Sequence, residues 1–306
     1  MDQELTVNPL DLDHVDMWLR IHQATYGQYP WPKSITRSDV LQLISTPDMQ
    51  PMIAFSGQDP VGIAVLEKDS ESHNFTLKDF ACSNASLSLV KTFLHHIVSQ
   101  SRELDAISLN TWVWDSEQQV LSSLIEAGFV LEQEHSLISR RVMKTPSSSY
   151  QDTPLIRSLS EGITIHDFVK ANREAFHDDP SQPLEESELE SWVSEEEGFH
   201  PNLQLAYLIN DSIVGTTMCE IFSFEGQSGQ ERHAWIHGLG VVKDHRRRGV
   251  ARSLVDELMH RLNELLVTEL WLFTDTEGPI REFYNRLGFL QRVNWVDLTL
   301  YFGQDS

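Results

Sequence analysis

Apolar positions along this chain keep two periods. At Val250, Leu254, Leu258 and Leu262 they recur every four residues, with Val255 and Met259 beside them. That is the stripe of a helix packed on a sheet. Around it, apolar runs bounded by turn residues predict strands at 163–166, 203–210, 213–223 and 232–242. A helix over 250–265, a strand over 268–274, a short helix over 279–287 and a last strand over 290–302 follow. Strands alternating with helices predict an α/β fold, a mixed sheet with helices on its faces.

The first half repeats this order weakly. Leu5-Thr6-Val7 matches Ile163-Thr164-Ile165, and Ala127-Gly128-Phe129 matches Leu287-Gly288-Phe289. Between them, Ala54-Phe55, a turn and Val61-Gly62 match Ala206-Tyr207, a turn and Val214-Gly215. The offsets of 158, 160 and 152–153 keep their order and drift, as loop insertions in a duplicated domain would make them. Residues 142–162 are rich in Ser, Pro and Thr and carry no period, which marks a linker. The expected division is a domain over 1–143, a linker over 144–162 and a domain over 163–306; a length of 306 suits two domains of about 150.

Charge changes the picture in one respect. A formal net charge of -23 repels extended polyanions, so neither nucleic acid nor an anionic membrane is an expected partner. The two cysteines, Cys82 and Cys219, fit no disulfide scaffold and no metal pattern, so no metal is expected. The acidic start MDQELTVNPLDLDH lacks the apolar run of a signal peptide, and a cytoplasmic protein is expected.

Against this background one basic turn stands out. Lys243, Arg246, Arg247, Arg248 and Arg252 fall within ten positions, between the strand ending at Val242 and the helix. The free N–H groups and dipole of a helix N-terminus form an anion site. Gly249 leaves room for a phosphate to approach the backbone, and arginines clamp phosphate oxygens in pairs. A pyrophosphate suits such a turn; the alternative is a solvated basic helix cap.

Arg246-x-x-Gly249-x-Ala251 fits the Arg/Gln-x-x-Gly-x-Gly/Ala signature of the GNAT acetyltransferase superfamily. Leu239-Gly240-Val241 resembles the family's fourth strand, and Glu282-Phe283-Tyr284-Asn285-Arg286-Leu287-Gly288-Phe289 resembles its second motif. The resemblance covers 163–302 and reaches the first half through the repeat. It implies two tandem GNAT-like acyl-CoA N-acyltransferase domains, and acetyl-CoA as co-substrate. Its pantetheine arm would lie along Leu239, Gly240, Val241 and Val242. Its pyrophosphate would rest on Arg246, Arg247, Arg248, Gly249, Val250, Ala251 and Arg252. A backbone N–H, that of Val241 or a neighbour, would polarise the acyl oxygen. Tyr284 stands where the family keeps the general acid for the thiolate, or else anchors the short helix. Glu220 and His237 are the two candidate bases for the amine, or ordinary structural residues. Glu277 stands where relatives often have an asparagine that touches the pantetheine, which shifts that contact to Thr276 or Asn285.

The first half has no such phosphate loop, and Leu124 stands at the position of Tyr284. It is expected to be a degenerate copy, so that the chain resembles the tandem two-domain acetyltransferases of the mycothiol synthase type. Asn172–Phe176 and Asp178–Pro180 resemble the acceptor-side helix and loop of that group. Seven glutamates, Glu185, Glu186, Glu188, Glu190, Glu195, Glu196 and Glu197, crowd the acceptor side. They form an acidic rim for a cationic amine or a solvated helix face. Trp192 and Phe199 cover an acceptor there or pin the segment to the core. The expected partners are acetyl-CoA and the primary amine of a small molecule; a non-catalytic acyl-CoA sensor and a peptide acetyltransferase are the alternatives. Composition leaves the oligomeric state open.

Overall fold

A computed structural model describes residues 4–27, 35–69, 72–83, 86–143, 155–177, 184–195, 198–226 and 229–303. The chain divides into two compact units, residues 1–136 with 293–306, and residues 137–292.

The first unit begins with β1 (Leu5–Pro9), α1 (Val15–Tyr26) and α2 (Arg37–Ser45). A meander of β2 (Met49–Ser56), β3 (Asp59–Lys68) and β4 (Asn74–Cys82) follows, then α3 (Leu87–Glu103), β5 (Ser108–Trp114), α4 (Gln118–Glu126) and β6 (Val130–Arg141). The second unit runs through β7 (Ile156–Ser158), α5 (Ile165–Ala175) and α6 (Glu186–Glu195). Its meander is β8 (Leu205–Ile209), β9 (Ser212–Gly226) and β10 (Gly229–Val241), followed by α7 (Val250–Glu264), β11 (Glu269–Asp275), α8 (Pro279–Arg286) and β12 (Leu290–Tyr301).

Both sheets are mixed. In the first unit β1 to β4 pair antiparallel, and β5 joins β4 in parallel. From Val293 onward β12 belongs to this unit, where Trp295–Tyr301 pair antiparallel with Ser108–Trp114 of β5. In the second unit β7 to β10 pair antiparallel, and β11 joins β10 in parallel. The end of β6, Leu137–Arg141, neighbours β11 there. So the last strand of each sequence half lies beside the penultimate strand of the other half.

The repeat extends to the register on both sides of a bulge. Glu67 pairs with Thr76 as Glu220 pairs with Trp235, and Gly62 pairs with Cys82 as Gly215 pairs with Val241. Each fourth strand carries one extra residue near the same place, between Lys78 and Ala81 in β4 and between Ile236 and Gly238 in β10. Each short helix ends alike. Phe129 N–H donates to the Leu124 carbonyl and Phe289 N–H to the Tyr284 carbonyl, both at 3.1 Å. The intervening Gly128 and Gly288 take left-handed φ of 96° and 83°, a Schellman turn that favours glycine. Buried Trp18, His22 and Tyr26 of α1 recur, 150 positions on, as Phe168 and Asn172 of α5 and Phe176 just past its end.

The elements of the second half stand within a few residues of expectation, with one correction. Residues 163–166 are not a strand. Thr164 caps α5 by accepting from Asp167 N–H at 3.0 Å, and the strand lies earlier, at Ile156–Ser158. That strand falls inside the stretch expected to be linker, whose residues 144–154 lie outside the described ones. The first-half landmark Leu5-Thr6-Val7 therefore matches 155–157 instead of 163–165.

One apolar cluster fills each unit's centre: around Phe75, Phe93, Leu94 and Ile97 in the first, and around Leu254, Leu258, Leu270 and Phe289 in the second. No described helix is long and apolar enough to cross a membrane.

Candidate active site

The second unit opens a gap by its topology. β10 and β11 are registered over His233–Trp235 and Glu269–Trp271. The bulge at His237 then re-aims β10, which stays paired only with β9 up to Val241. Leu239–Val241 of β10 and the residues of β11 beyond Leu272, such as Thr274, therefore leave the parallel ladder. Thr274 is 8% exposed, and its hydroxyl is buried with no hydrogen-bond partner among the described residues.

The loop from β10 to α7 closes one end of this gap. Gly249 has φ of 88°, and a Cβ there would meet nothing within 4 Å. It begins α7 without any side-chain cap, so the first-turn N–H groups are offered outward. Lys243, Arg247, Arg248 and Arg252 are exposed around it. Arg246 is turned to another task. Its Nε donates to the Val241 carbonyl and its Nη2 to the Ala175 carbonyl, both at 2.9 Å. This side chain straps the loop to β10 and α5. Val242 N–H donates to the Val214 carbonyl at 3.0 Å, and Ala251 is half-buried in the first turn of α7.

Tyr284 lies in the cluster that holds Val250, with Leu239 and Val241 packed against it. Its ring is gripped by Phe283 and Phe289 at 5.1 and 5.4 Å. The residue is 7% exposed, and burial pushes its phenol well above the ordinary tyrosine range. Asn285, by contrast, lies exposed on α8. Glu277 is likewise exposed, and Thr276 is half-buried.

Glu220 and His237 are brought together. His237 Nε2 stands 2.9 Å from Glu220 Oε2, with the carboxylate side chain 6% and the imidazole 33% exposed. The hairpin register places them two residues apart on one face, a diagonal cross-strand pair. In the first unit the same two positions are Glu67 and Lys78, joined by an ion pair of 2.6 Å. The acidic stretch is α6 and its start; Glu188 and Glu190 are exposed there. Asp178–Pro180, Glu196 and Glu197 lie outside the described residues.

A family model described as acetyltransferase (GNAT) family matches residues 167–289. This segment is a GNAT acetyltransferase domain. GNAT proteins catalyse acyl transfer from an acyl-CoA, with acetyl-CoA as co-substrate. Solved GNAT structures resemble it over both units. A GCN5-related N-acetyltransferase from Sphaerobacter thermophilus has a TM-score of 0.71 at 17% identity, over 97% of this chain and 95% of that one. A tandem GNAT protein from the clavulanic acid biosynthesis pathway has a TM-score of 0.66 at 14% identity, over 99% and 100%. A GNAT-family acetyltransferase from Colwellia psychrerythraea has a TM-score of 0.59 at 11% identity, over 97% and 99%. The fold is thus the tandem GNAT fold. No curated protein sequence matches the chain.

The counterpart gap in the first unit is built differently. β4 and β5 are registered only from Asn74–Leu77 and Ser108–Thr111. Beyond them Tyr26 enters from α1: its hydroxyl donates to the Phe80 carbonyl on β4 at 3.2 Å, and its ring packs on Trp112 of β5 at 5.6 Å. Phe176, its counterpart at the end of α5, has no hydroxyl and makes no such bond. Ser86 caps α3 by accepting from Leu89 N–H at 3.3 Å, so the helix end that would face a phosphate already has a partner. Nearby, burial pushes the Glu117 carboxyl up to about 7. Burial and the Glu117 charge also raise Tyr26, and push Cys82 to about 12. Tyr26 and Glu117 were invisible as functional residues in the sequence, where the first reads as one position of an amphipathic stripe and the second as a turn residue.

Proposed function

We propose that this protein transfers an acetyl group from acetyl-CoA to the primary amine of a small molecule, by direct attack, and that the second unit is the catalytic one. The contrast between the two gaps carries this reading. One is uncapped, ringed by arginines and backed by Tyr284; the other is occupied by Tyr26, capped by Ser86 and lined by the Glu117 carboxyl. We therefore take the first sequence half, residues 1–143, as the degenerate copy.

Acetyl-CoA supplies an activated thioester. The N–H groups of Gly249, Val250 and Ala251 receive its pyrophosphate, and Arg247, Arg248 and Arg252 neutralise it. The N–H of Val241 donates to the acyl oxygen as charge develops there. An ionised Glu220 accepts only, so the bonded Nε2 of His237 is the one that carries the proton. The lone pair of Nδ1 then takes a proton from the acceptor ammonium, and the freed amine attacks the acyl carbon. As the C–S bond breaks, Tyr284 gives its proton to the thiolate sulfur. A phenol with a raised pKa can do this because the same apolar surroundings also raise the thiol's own pKa. In the first unit the base position holds Lys78, which pairs with Glu67 at 2.6 Å and has no imidazole to offer.

The test is a thiol-release assay over a panel of primary amines. Tyr284→Phe is expected to lower kcat about 100-fold while leaving acetyl-CoA affinity within about threefold. Tight acetyl-CoA binding without turnover of any amine would instead indicate a non-catalytic acyl-CoA-binding protein.

A further inference from the structure

The base pair described above is embedded in aromatic rings whose role acyl transfer leaves open. Phe199 packs on the His237 ring at 5.2 Å, and Trp192 lies 6.2 Å from the same ring and 5.2 Å from Phe199. The three rings are tilted by 31° to 38° and so present similar orientations. Their exposure is graded. Phe199 is 5% exposed and forms the back wall, while Trp192 and His237 keep part of their surface open.

The wall is fixed by backbone. Ile221 N–H donates to the Gly198 carbonyl at 2.8 Å, holding the segment against β9. A Cβ on Gly198 would lie 2.1 Å from the Ile221 carbonyl oxygen and 2.8 Å from Glu220 Cγ. Only glycine lets the chain cross so close to the Glu220 stem, and this crossing delivers Phe199 to His237. One helical turn before Trp192, on the same face of α6, stands exposed Glu188.

An indole face beside an imidazole, a buried carboxylate behind it and a second carboxylate one turn away form the chemistry that receives an organic ammonium ion. We propose that Trp192 is the specificity-determining residue of the acceptor site: its indole face receives the acceptor as a protonated amine carried on an apolar or planar body, next to the base that removes its proton. Phe199 acts through His237 and is a positioning residue. The proposal rests on the acyltransferase reading for its location, but its binding chemistry is tested without turnover.

The probe is benzyltrimethylammonium, which has the cation and a planar body but no proton to give. Calorimetric titration of the whole chain is expected to show saturable binding. Trp192→Leu is expected to weaken it about 3- to 30-fold, and Trp192→Phe, which keeps an aromatic face, by less than about threefold. Unchanged acetyl-CoA affinity in both variants controls for folding. In the acyl-transfer assay Trp192→Leu should raise KM for a cationic amine by a similar factor and leave kcat within about threefold. If the chain binds the probe through Trp192 yet acetylates no amine, this subsite stands and the acyltransferase reading falls. If the chain acetylates amines but Trp192→Leu changes neither probe binding nor KM, the subsite is wrong and the acyltransferase reading stands.

Discussion

Glu117→Gln tests the account of the first unit's gap. The Glu117 carboxyl is raised by burial from an ordinary 4.5 to about 7. Between those values the unfolded chain has already lost the proton that the folded chain keeps. The folded state therefore binds more protons, and its stability falls as pH rises from about 4.5 through about 7. At about 1.4 kcal/mol per pH unit, the separation sets a ceiling of about 3 kcal/mol for the total loss. Residual solvent access at Glu117 reduces this, and about 1–2 kcal/mol is the expected part between pH 5.5 and pH 8. Glutamine has the same shape and no charge to develop, so the variant should escape the loss. Urea unfolding of wild type and variant, followed by circular dichroism in half-unit pH steps, reads the difference directly. The glutamine's advantage should grow with pH and level off above the raised value. An advantage that is flat, or that shrinks as pH rises, would mean that Glu117 is ionised in the folded chain, and the gap would then be more open than the packing of Tyr26 implies.

Equilibrium dialysis should find one acetyl-CoA per chain, weakened about 10- to 100-fold by combined Arg247→Ala and Arg248→Ala; a second site within tenfold of the first would contradict the filled first gap. Gly215→Ala places a Cβ 2.7 Å from Val250 Cγ1 and 3.3 Å from the Gly240 carbonyl oxygen. It should cost about 1–3 kcal/mol in thermal unfolding and also weaken acetyl-CoA binding, because Val250 begins the helix proposed to receive the pyrophosphate; no change in either would show that α7 shifts freely against β9.

The sequence was most legible where chemistry demands fixed spacing. The arginine turn, Gly249 and Tyr284 stood out because a phosphate loop and a proton donor, the roles proposed for them, each need particular residues at particular steps from a strand or helix end. Element ends in the second half followed for a similar reason, since the stripe from Val250 to Leu262 admits only one helix. The misplaced strand at 163–166 had a visible remedy: Thr164-x-x-Asp167 is a helix-capping pattern. The real strand, Ile-Arg-Ser, is too short to show a period. The exchange of end strands left no trace, because alternation says which face of a strand is buried and nothing about its neighbour. Glu220 and His237 were each legible as candidate bases, but their pairing needed the hairpin register. Arg246 matched its motif, and only the structure gave its guanidinium to two carbonyls.

The strand exchange also bears on how the protein is made. The edge of β5, with Trp112 and Trp114, is covered by Trp295–Tyr301, which are synthesised only after all of residues 137–292. A domain that ended with its own sequence half would close during synthesis. Here the first unit must wait, its edge unpaired, while the whole second half is translated. Such an open edge pairs readily with other chains. A premature stop just before Val293 would therefore leave its defect in the first unit, far along the sequence from the break.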